Sequence, residues 1–356
     1  MLAAIAVFTT RASAAPAVAP VEPFAPVVPG YSLAFPRDHG SHPDFRTEWW
    51  YSTGWLRTAR GAPIGFQITF FRSRQAIADA NPSAFAPRQI LIAHAAISDP
   101  ARGRLRKDQR IARAGFGLAQ AREGDAAVWI DHWTLTRTGG AWHIEAAAEE
   151  FTLMLTLSPT QPPMLNGESG YSRKGPAPAA ASYYYSLPHL IVAGDIVRDG
   201  RRETVTGEAW LDHEWSSEYL EPEAAGWDWI GLNLDDGAAL MAFRIRDRHG
   251  GVRWAGGTLR AADGATRHFA PGEISFAPQR QWRSPRTAIE YPVEWSVRAG
   301  DIAFSLTPLM DDQESDTRAT TGAIYWEGAV RAGKGGREIG RGYLELTGYG
   351  EALLLR

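Results

Sequence analysis

Short runs of alternating apolar and polar residues, separated by turn residues, cover most of the chain. In the clearest run Phe151, Leu153, Leu155 and Leu157 are apolar and alternate with less apolar neighbours, so these four side chains share one face. A period of two is typical of an antiparallel strand with one buried face. Helical periodicity is scarce. The pattern therefore predicts an all-β protein.

Further runs of this kind, bounded by Gly, Pro and Asp-Gly turns, predict strands along the rest of the chain. They cover residues 48–56, 64–71, 90–97, 127–133, 204–215, 227–234, 239–246, 293–297 and about 329–346. Many short strands at near-regular spacing favour barrels or sandwiches, because closure removes exposed sheet edges. The length of 356 residues is sufficient for two such units. We expect residues 31–217 and 218–356 to form one unit each, with 218–225 as the connector.

The first 30 residues have a different composition from the rest. Residues 2–8 are a short apolar run, and Ala12, Ser13 and Ala14 fit a small-residue cleavage site. We therefore expect a signal peptide at 1–14 and a periplasmic or secreted location, although no Lys or Arg precedes the apolar run. Residues 15–30 are rich in Ala, Pro and Val, which favours an extended linker. No later apolar run is long enough to cross a bilayer, so no transmembrane segment is expected in the mature chain.

Composition narrows the class of partner. The formal net charge is only -3, and the basic run 102–110 is interrupted by Gly103, Leu105 and Asp108, so it indicates a solvated hairpin edge and no nucleic-acid binding. The chain has no Cys, which excludes disulfides and thiolate metal ligands. It has 14 Trp, 11 Tyr and 14 Phe, more aromatic surface than a core usually requires. We expect part of it to line a cavity for a hydrophobic small molecule.

Two segments concentrate the residue types that carry chemistry. In 207–215, alternation puts Leu211, His213 and Trp215 on one strand face, and the opposite face carries Glu208, Trp210, Asp212 and Glu214. In 48–51, Trp49 and Tyr51 face one side, and the other side carries Glu48 and Trp50. A third segment, 171–174 with 183–185, supplies tyrosine hydroxyls and cations. The sequence therefore predicts an imidazole and an indole directed into one space, with carboxyls close by.

These segments and their order resemble the AttH and carotenoid 1,2-hydratase superfamily. The matching stretches are 38–51, 93–99, 171–175, 183–186, 207–216 and 325–349. The resemblance implies two lipocalin-like (calycin) antiparallel β-barrels side by side, often in a secreted protein encoded near transport components. Some relatives hydrate isolated double bonds of carotenoids and others act on polyketide-like or phenolic substrates.

The resemblance also suggests site residues. A His and a Trp of the central motif are catalytic in the hydratases, and the matching positions are His213 and Trp215. Adding water to an alkene needs an acid, a base and a group that stabilises a carbocation, without any cofactor. Asp212 and Glu214 supply acid and base, Asp228 is a reserve, and the Trp215 indole face stabilises a desolvated cation by about 2 kcal/mol. The expected ligand-binding residues are Glu48, Trp50, Tyr51, Tyr184, Trp227 and Trp229.

Several of these residues also suit purely structural roles. A core or a cavity wall would explain Trp49, Trp50, Trp210 and Trp229. His94 fits a hydrogen-bonded histidine in the core, and Glu327 and Glu345 fit polar groups that close a barrel. The spacing of Asp38, His39 and His42 matches no recognised metal site, so no metal is predicted. The sequence has no Gly-x-Ser-x-Gly turn that would carry the nucleophile of a hydrolase.

The main hypothesis is a hydratase or isomerase. The alternatives are a periplasmic carrier that passes an apolar ligand to an ABC-type transporter permease, and a surface interaction protein whose cavity is only structural.

Overall fold

The computed structural model describes residues 24–76 and 81–352. The prediction of an all-β fold is confirmed. The helical elements that lie wholly within the described ranges are two short 3-10 turns, Arg37–His39 and Pro271–Glu273, and the other elements are strands. No helix in these ranges combines the length and the apolar character needed to span a bilayer. The expected signal peptide, 1–14, lies outside the described residues.

Residues 24–30 do not behave as a free linker. They form no strand, but Val27 is buried in the core of the first sheet. The Tyr183 hydroxyl accepts a hydrogen bond from the Val28 N–H (3.0 Å) and donates one to its carbonyl oxygen (2.9 Å). An apolar side chain and a paired backbone hold this segment against the sheet, and composition alone did not reveal it.

The first sheet has thirteen antiparallel strands and is a nearly closed barrel. Its strands are β1 Thr47–Thr58, β2 Pro63–Arg74, β3 Gln89–Asp99, β4 Arg104–Arg113, β5 Ala119–Ala121, β6 Ala127–Ile130, β7 Trp133–Thr138, β8 Ala141–Ala147, β9 Phe151–Ser158, β10 Met164–Leu165, β11 Tyr171–Arg173, β12 Ala181–Arg198 and β13 Arg201–Ser216. They follow the order β4-β3-β2-β1-β13-β12-β9-β8-β7-β6-β5, with β10 and β11 paired to β12. At the open seam, β3 and β4 contact β5 and β6, which brings the edges of the sheet together.

The second sheet has ten strands. They are β14 Ala224–Leu234, β15 Ala239–Asp247, β16 Val252–Arg260, β17 Thr266–Phe269, β18 Ile274–Arg283, β19 Glu290–Ala299, β20 Ile302–Pro308, β21 Glu314–Asp316, β22 Ile324–Lys334 and β23 Arg337–Leu346. Their order is β17-β16-β15-β14-β23-β22-β20-β19-β18, with β21 paired to β22. The two sheets agree with the expected pair of lipocalin-like domains.

Two predicted strands are each divided by a turn. The run 127–133 separates into β6 and β7 because Asp131 adopts a positive φ of 55° between them. The run 329–346 is a hairpin of β22 and β23, joined at Gly335 and Gly336, whose φ values are 59° and 78°. Two consecutive residues with positive φ match the right-handed twist of a hairpin, and Gly adopts that conformation without steric cost.

Strand β13 lies between β1 and β12 and positions the residues of interest. Trp50 and Tyr185 flank His213, and Tyr51 and Ser186 flank Asp212. Because side chains alternate, His213 points into the first barrel, whereas Asp212 points towards the second sheet. A separate hydrophobic cluster fills the space between the sheets and contains Tyr51, Trp55, Met164, Tyr184, Trp210, Trp229, Met241, Phe243 and Tyr343.

Gly342 on β23 has no room for a side chain beside β14. A Cβ atom at this position would lie 1.8 Å from the Gly231 carbonyl oxygen, and the Gly342 carbonyl accepts a hydrogen bond from the Trp55 indole across the two sheets (3.0 Å). We therefore expect Gly342→Ala to lower the free energy of unfolding by about 1–3 kcal/mol, the usual cost of overpacking. Urea denaturation measures this. Gly272→Ala is the control, since its Cβ would meet open space, and equal midpoints for the two variants would contradict the expectation.

Candidate functional site

A cavity of 330 Å³ lies between the two sheets. Its apolar wall is formed by Trp49, Tyr51, Phe71, Ile90, Ile92, Ile111, Tyr184, Tyr219, Trp227, Trp229, Phe243, Ile245 and Tyr325. Its ionisable side chains are Glu48, Arg72, His94, Lys174, Asp212, Glu214, Glu327 and Glu345. A mostly apolar cavity with a few convergent polar groups is typical of a small-molecule site.

Asp212 is one of the buried acids of this cavity. Its Oδ1 accepts hydrogen bonds from Ser186 Oγ and Trp210 Nε1, both at 2.6 Å, and its Oδ2 accepts one from the Tyr184 hydroxyl at 2.6 Å. The Trp229 indole donates in turn to the Tyr184 oxygen (3.0 Å). Burial raises the pKa of Asp212 to about 7, against the effect of its hydrogen-bond donors. Asp212 therefore titrates near neutral pH.

Glu214 and Lys174 form a buried ion pair beside Asp212. Lys174 Nζ lies 2.7 Å from Glu214 Oε1 and donates to Ser172 Oγ at 3.0 Å. The same ammonium lies 4.4 Å from the centre of the Phe243 ring. Burial lowers the pKa of Lys174 and raises that of Glu214, and the attraction within the pair opposes both shifts. Glu214 is thus neutralised locally and is less available for proton transfer than Asp212.

Two further carboxyls belong to the second sheet. Glu327 on β22 and Glu345 on β23 are paired directly across the hairpin. Burial raises the pKa of Glu345 to about 7, and burial together with the charge of Glu345 raises that of Glu327 well above its ordinary value. The Trp227 indole N–H donates to Glu345. These residues therefore line the cavity, although the sequence suggested only that they close a barrel.

His94 on β3 also lines the cavity. Its Nδ1 lies 3.0 Å from the Tyr325 hydroxyl, and its Nε2 lies 2.9 Å from Thr320 Oγ1. Burial, together with the nearby charge of Lys107, lowers the pKa of His94 to about 3, so the imidazole is neutral. The prediction of a hydrogen-bonded, buried histidine agrees with these contacts, and the structure adds that His94 borders the cavity.

A separate polar network inside the first barrel centres on Glu48. Its Oε1 lies 2.9 Å from His213 Nε2 and 2.7 Å from His42 Nδ1, and its Oε2 lies 2.7 Å from Arg72 Nε and 3.0 Å from Ser41 Oγ. Burial alone would raise the pKa of Glu48, but the charges of Arg72 and His42 hold it well below its ordinary value. Glu48 borders the cavity, yet its carboxylate is fully engaged by these partners.

The same network contains a candidate metal-ligand set. His42, Glu48 and His213 offer three ligand atoms within 4.8 Å of one another, and two imidazoles with one carboxylate suit several transition metals. In the structure the Glu48 oxygen accepts hydrogen bonds from both imidazoles. The other ring nitrogen of His213 lies 3.0 Å from the Asp38 carbonyl oxygen and 3.2 Å from the Tyr185 hydroxyl. Hydrogen bonds therefore account for the closeness of these atoms.

His213, Trp215 and Trp50 lie away from the cavity, contrary to our expectation. His213 is completely buried and stacks on Trp50, with ring centroids 4.6 Å apart. Trp215 stacks on His42 at 3.7 Å. The alternation predicted for β13 is confirmed, but the face that carries His213 is closed by the segment containing His42. Proton transfer by His213 to a ligand in the cavity has no direct route.

Asp228 also lies outside the cavity. Alternation along β14 directs Trp227 and Trp229 into the cavity and Asp228 to the inner face of the second sheet. Its carboxylate accepts hydrogen bonds from Arg244 Nε (2.5 Å), Arg246 Nε (3.1 Å) and the Tyr349 hydroxyl (2.9 Å). An acid held by two guanidinium groups stabilises the sheet and is not free to act as a reserve acid or base.

Asp38 and His39, which precede His42 in the sequence, also have structural partners. Asp38 Oδ2 accepts from the Ala34 N–H at 2.7 Å and its Oδ1 from Arg37 Nε at 2.7 Å, which fits a turn. His39 Nδ1 lies 2.7 Å from the Tyr185 hydroxyl. These contacts fix the 3-10 turn Arg37–His39.

The structure thus brings together part of the expected site. The expected residues that line the cavity are Asp212, Glu214, Glu48, Tyr51, Tyr184, Trp227 and Trp229. Sequence reasoning assigned only structural roles to Glu327, Glu345 and His94. Alternation along the two strands would have shown that Tyr325 shares a face with Glu327, and Tyr343 with Glu345. The local sequence could not show which part of the protein packs against that face.

Comparisons with known proteins agree with this architecture. The model of the AttH-like family matches residues 26–349. The crystal structure of a protein assigned as AttH from Nitrosomonas europaea is 57% identical, with a TM-score of 0.86, and the match covers 92% of this chain and 100% of that chain. No curated protein matches the chain by sequence.

Two more distant structures share the fold. Kievitone hydratase from Nectria haematococca is 15% identical with a TM-score of 0.68, over 91% of this chain and 98% of that chain. CghA, solved with Sch210972, is 12% identical with a TM-score of 0.50, over 85% of this chain and 89% of that chain. At these identities the likeness concerns the fold alone.

Proposed function

The chain belongs to the AttH-like family, and on that premise we propose that it hydrates or isomerises a carbon–carbon double bond of an apolar small molecule bound between its two sheets. The observation that carries the proposal is the aromatic cavity of 330 Å³, whose wall contains Asp212 and Glu345, each with a pKa near 7. A protonated carboxyl at neutral pH can donate a proton to carbon, and an ionised one can accept a proton from water. The fold shared with kievitone hydratase supports this class of reaction.

The aromatic wall suits the intermediate of such a reaction. Protonation of an alkene leaves a carbocation, and the faces of Trp, Tyr and Phe rings attract a desolvated cation. Trp227 and Trp229 line the cavity beside Asp212 and Glu345. These two indoles take the role that the sequence suggested for Trp215.

The size of the cavity favours a compact substrate. Pockets for drug-sized ligands usually have volumes of about 300–1,000 Å³, so this one is at the lower end of the range. We therefore expect a substrate of one or two rings with an unsaturated side chain to fit better than an acyclic carotenoid.

The test uses purified protein with three probes: kievitone, a phenol that carries a dimethylallyl group, and lycopene. Incubation in water enriched in oxygen-18, followed by mass spectrometry, detects addition of one labelled water, and proton NMR of the recovered probe detects a migrated double bond. We expect addition to, or double-bond migration in, at least one of the first two probes and less with lycopene. Stoichiometric retention of an unmodified probe through gel filtration, without any product, would support the carrier alternative and overturn the enzymatic proposal.

A further inference from the structure

Glu327 and Glu345 lie opposite each other on β22 and β23, at the wall of the cavity. Directly opposed residues on antiparallel strands leave the sheet on the same face, with Cβ atoms about 4.5–5.5 Å apart. A bulge between Ala332 and Gly333 shifts the hairpin register and sets this pairing. The two carboxyls therefore share a small volume of low dielectric.

The surroundings of the pair contain acids and hydroxyls. Among the described residues, none of the groups that act electrostatically on either carboxyl is a cation. The ionisable groups that face the pair from neighbouring elements are Tyr51, Asp212, Glu214, Tyr219, Tyr325 and Tyr343. Two like charges without a counter-ion in such a site are strongly unfavourable, so full ionisation of the pair is resisted.

We propose that Glu327 and Glu345 hold one proton between them at neutral pH and act as the acid–base pair of the reaction, an inference that rests on the proposed function. The environments of the two carboxyls determine where the proton lies. Glu327 is only 5% exposed and contacts the Tyr51 hydroxyl, which lowers its pKa less than burial and the charge of Glu345 raise it. Glu345 is more exposed and accepts the Trp227 N–H, which stabilises its ionised form.

The pKa shifts of Glu327 and Glu345 agree with this position of the proton. Burial and the charge of Glu345 raise the pKa of Glu327 well above its ordinary value, whereas burial raises that of Glu345 to about 7. Glu345 therefore ionises first as the pH rises, and the remaining proton of the pair lies on Glu327. Because the sites are coupled, the two titration steps belong to the pair.

The reaction leaves the number of protons on this pair unchanged. Glu327 donates its proton to one alkene carbon, so that a C–H bond forms and the π bond breaks, and the adjacent carbon becomes cationic. Water forms a C–O bond to that cation and passes one proton to the ionised Glu345. In isomerisation, Glu345 instead accepts a proton from a carbon next to the cation. The pair holds one proton before and after either reaction, and transfer between the two carboxyls restores the starting state.

The test follows the titration of the glutamate side chains without substrate. In protein labelled with carbon-13 at glutamate Cδ, the Glu327→Gln and Glu345→Gln variants assign the two resonances. Glu345 carries the charge that raises the pKa of Glu327, so in Glu345→Gln we expect the midpoint of Glu327 to fall by at least about one pH unit, a tenfold change in its acidity. In Glu327→Gln the Glu345 resonance should follow a single titration step, whereas the coupled pair gives two steps in the wild type; this is a second measurement if the first variant does not fold.

Glu338→Gln is the matched control, because Glu338 lies on the same strand but pairs with Arg341 at the surface (2.5 Å). We expect it to leave both midpoints unchanged. Independent titrations, with the midpoint of Glu327 the same in wild type and Glu345→Gln, would overturn the shared proton even if the protein turns over a substrate. A coupled titration without turnover of any probe would instead support the pair and count against the proposed function.

Discussion

Asp212→Asn is expected to lower the turnover number by about 100-fold at pH 8 while substrate affinity changes little. Near pH 8 Asp212 is mostly ionised, because its pKa is about 7, and a preorganised negative charge beside Tyr184 and Trp229 stabilises a cationic transition state. Removing one such electrostatic group typically costs about 10²–10³ in rate. The measurement is steady-state kinetics with whichever probe is turned over. In the wild type, the rate should rise as the pH increases through 7, where Asp212 and Glu345 lose their protons.

The same variant has a signature in stability. The folded-state pKa of Asp212 lies above its ordinary value of 3.8, so between about pH 4 and 7 the folded protein binds more protons than the unfolded chain. This contribution to stability is therefore present at low pH and is lost as the pH rises through 7. We expect the fall in urea midpoint from pH 5 to 8 to be smaller in Asp212→Asn than in wild type. Glu145→Gln, an exposed change on β8, should alter neither the rate nor this slope, and a similar effect of both changes would contradict the role of Asp212.

Glu48→Ala is expected to lower the free energy of unfolding by about 3–5 kcal/mol, because it leaves Arg72 buried without its counter-ion and removes the hydrogen-bond acceptor of His42 and His213. Arg72 is only 2% exposed, so water cannot replace the lost partner. Equilibrium denaturation monitored by Trp fluorescence measures the change.

A surface ion pair provides the control for this prediction. Glu150 contacts Arg104 at 2.8 Å, but both side chains are about half exposed. We expect Glu150→Ala to cost at most about 1 kcal/mol, the usual value of an exposed pair. Comparable losses in the two variants would show that the Glu48 network is not a buried electrostatic centre. If Glu48→Ala keeps the stability of the wild type and loses only its activity, the network would be catalytic rather than structural.

The Glu48 network changes the interpretation of the most conspicuous sequence motif. The residues 212–214 combine two acids and an imidazole, which suggested that all of them serve one site. The strand separates them: Asp212 and Glu214 face the cavity, and His213 faces Glu48 inside the first barrel. Fixing His213, His42 and Arg72 around one carboxylate holds the segment before β1 against β13, and thereby closes the barrel beside the cavity wall.

Much of the fold was predictable because its information is local. The period of two in β9 and β13 identified strands and the side chains that share a face. Turn residues marked most boundaries, and the division at Asp131 was missed because a non-Gly residue adopts a positive φ there. The resemblance of the motifs to a known family supplied the arrangement in two barrels, which periodicity alone left open between barrels and sandwiches.

The pairing of Glu327 with Glu345 shows where local information ends. The innermost pair of the hairpin is Lys334 with Arg337, and an uninterrupted register from that pair would set Glu327 opposite Leu344. The bulge at Ala332 and Gly333 shifts the register by one residue and brings the two acids together.

By itself, the sequence determined which side chains lie on the same face of each strand, since alternation is a property of the extended backbone. Only the tertiary structure decided which face meets the cavity, because both faces of β1 and β13 carry aromatic and ionisable residues and both are buried. It also decided which distant groups meet, such as Lys174 with Glu214 and Glu48 with His213. Those contacts depend on strand register and on the packing of one barrel against the other, which are long-range interactions that no local pattern specifies.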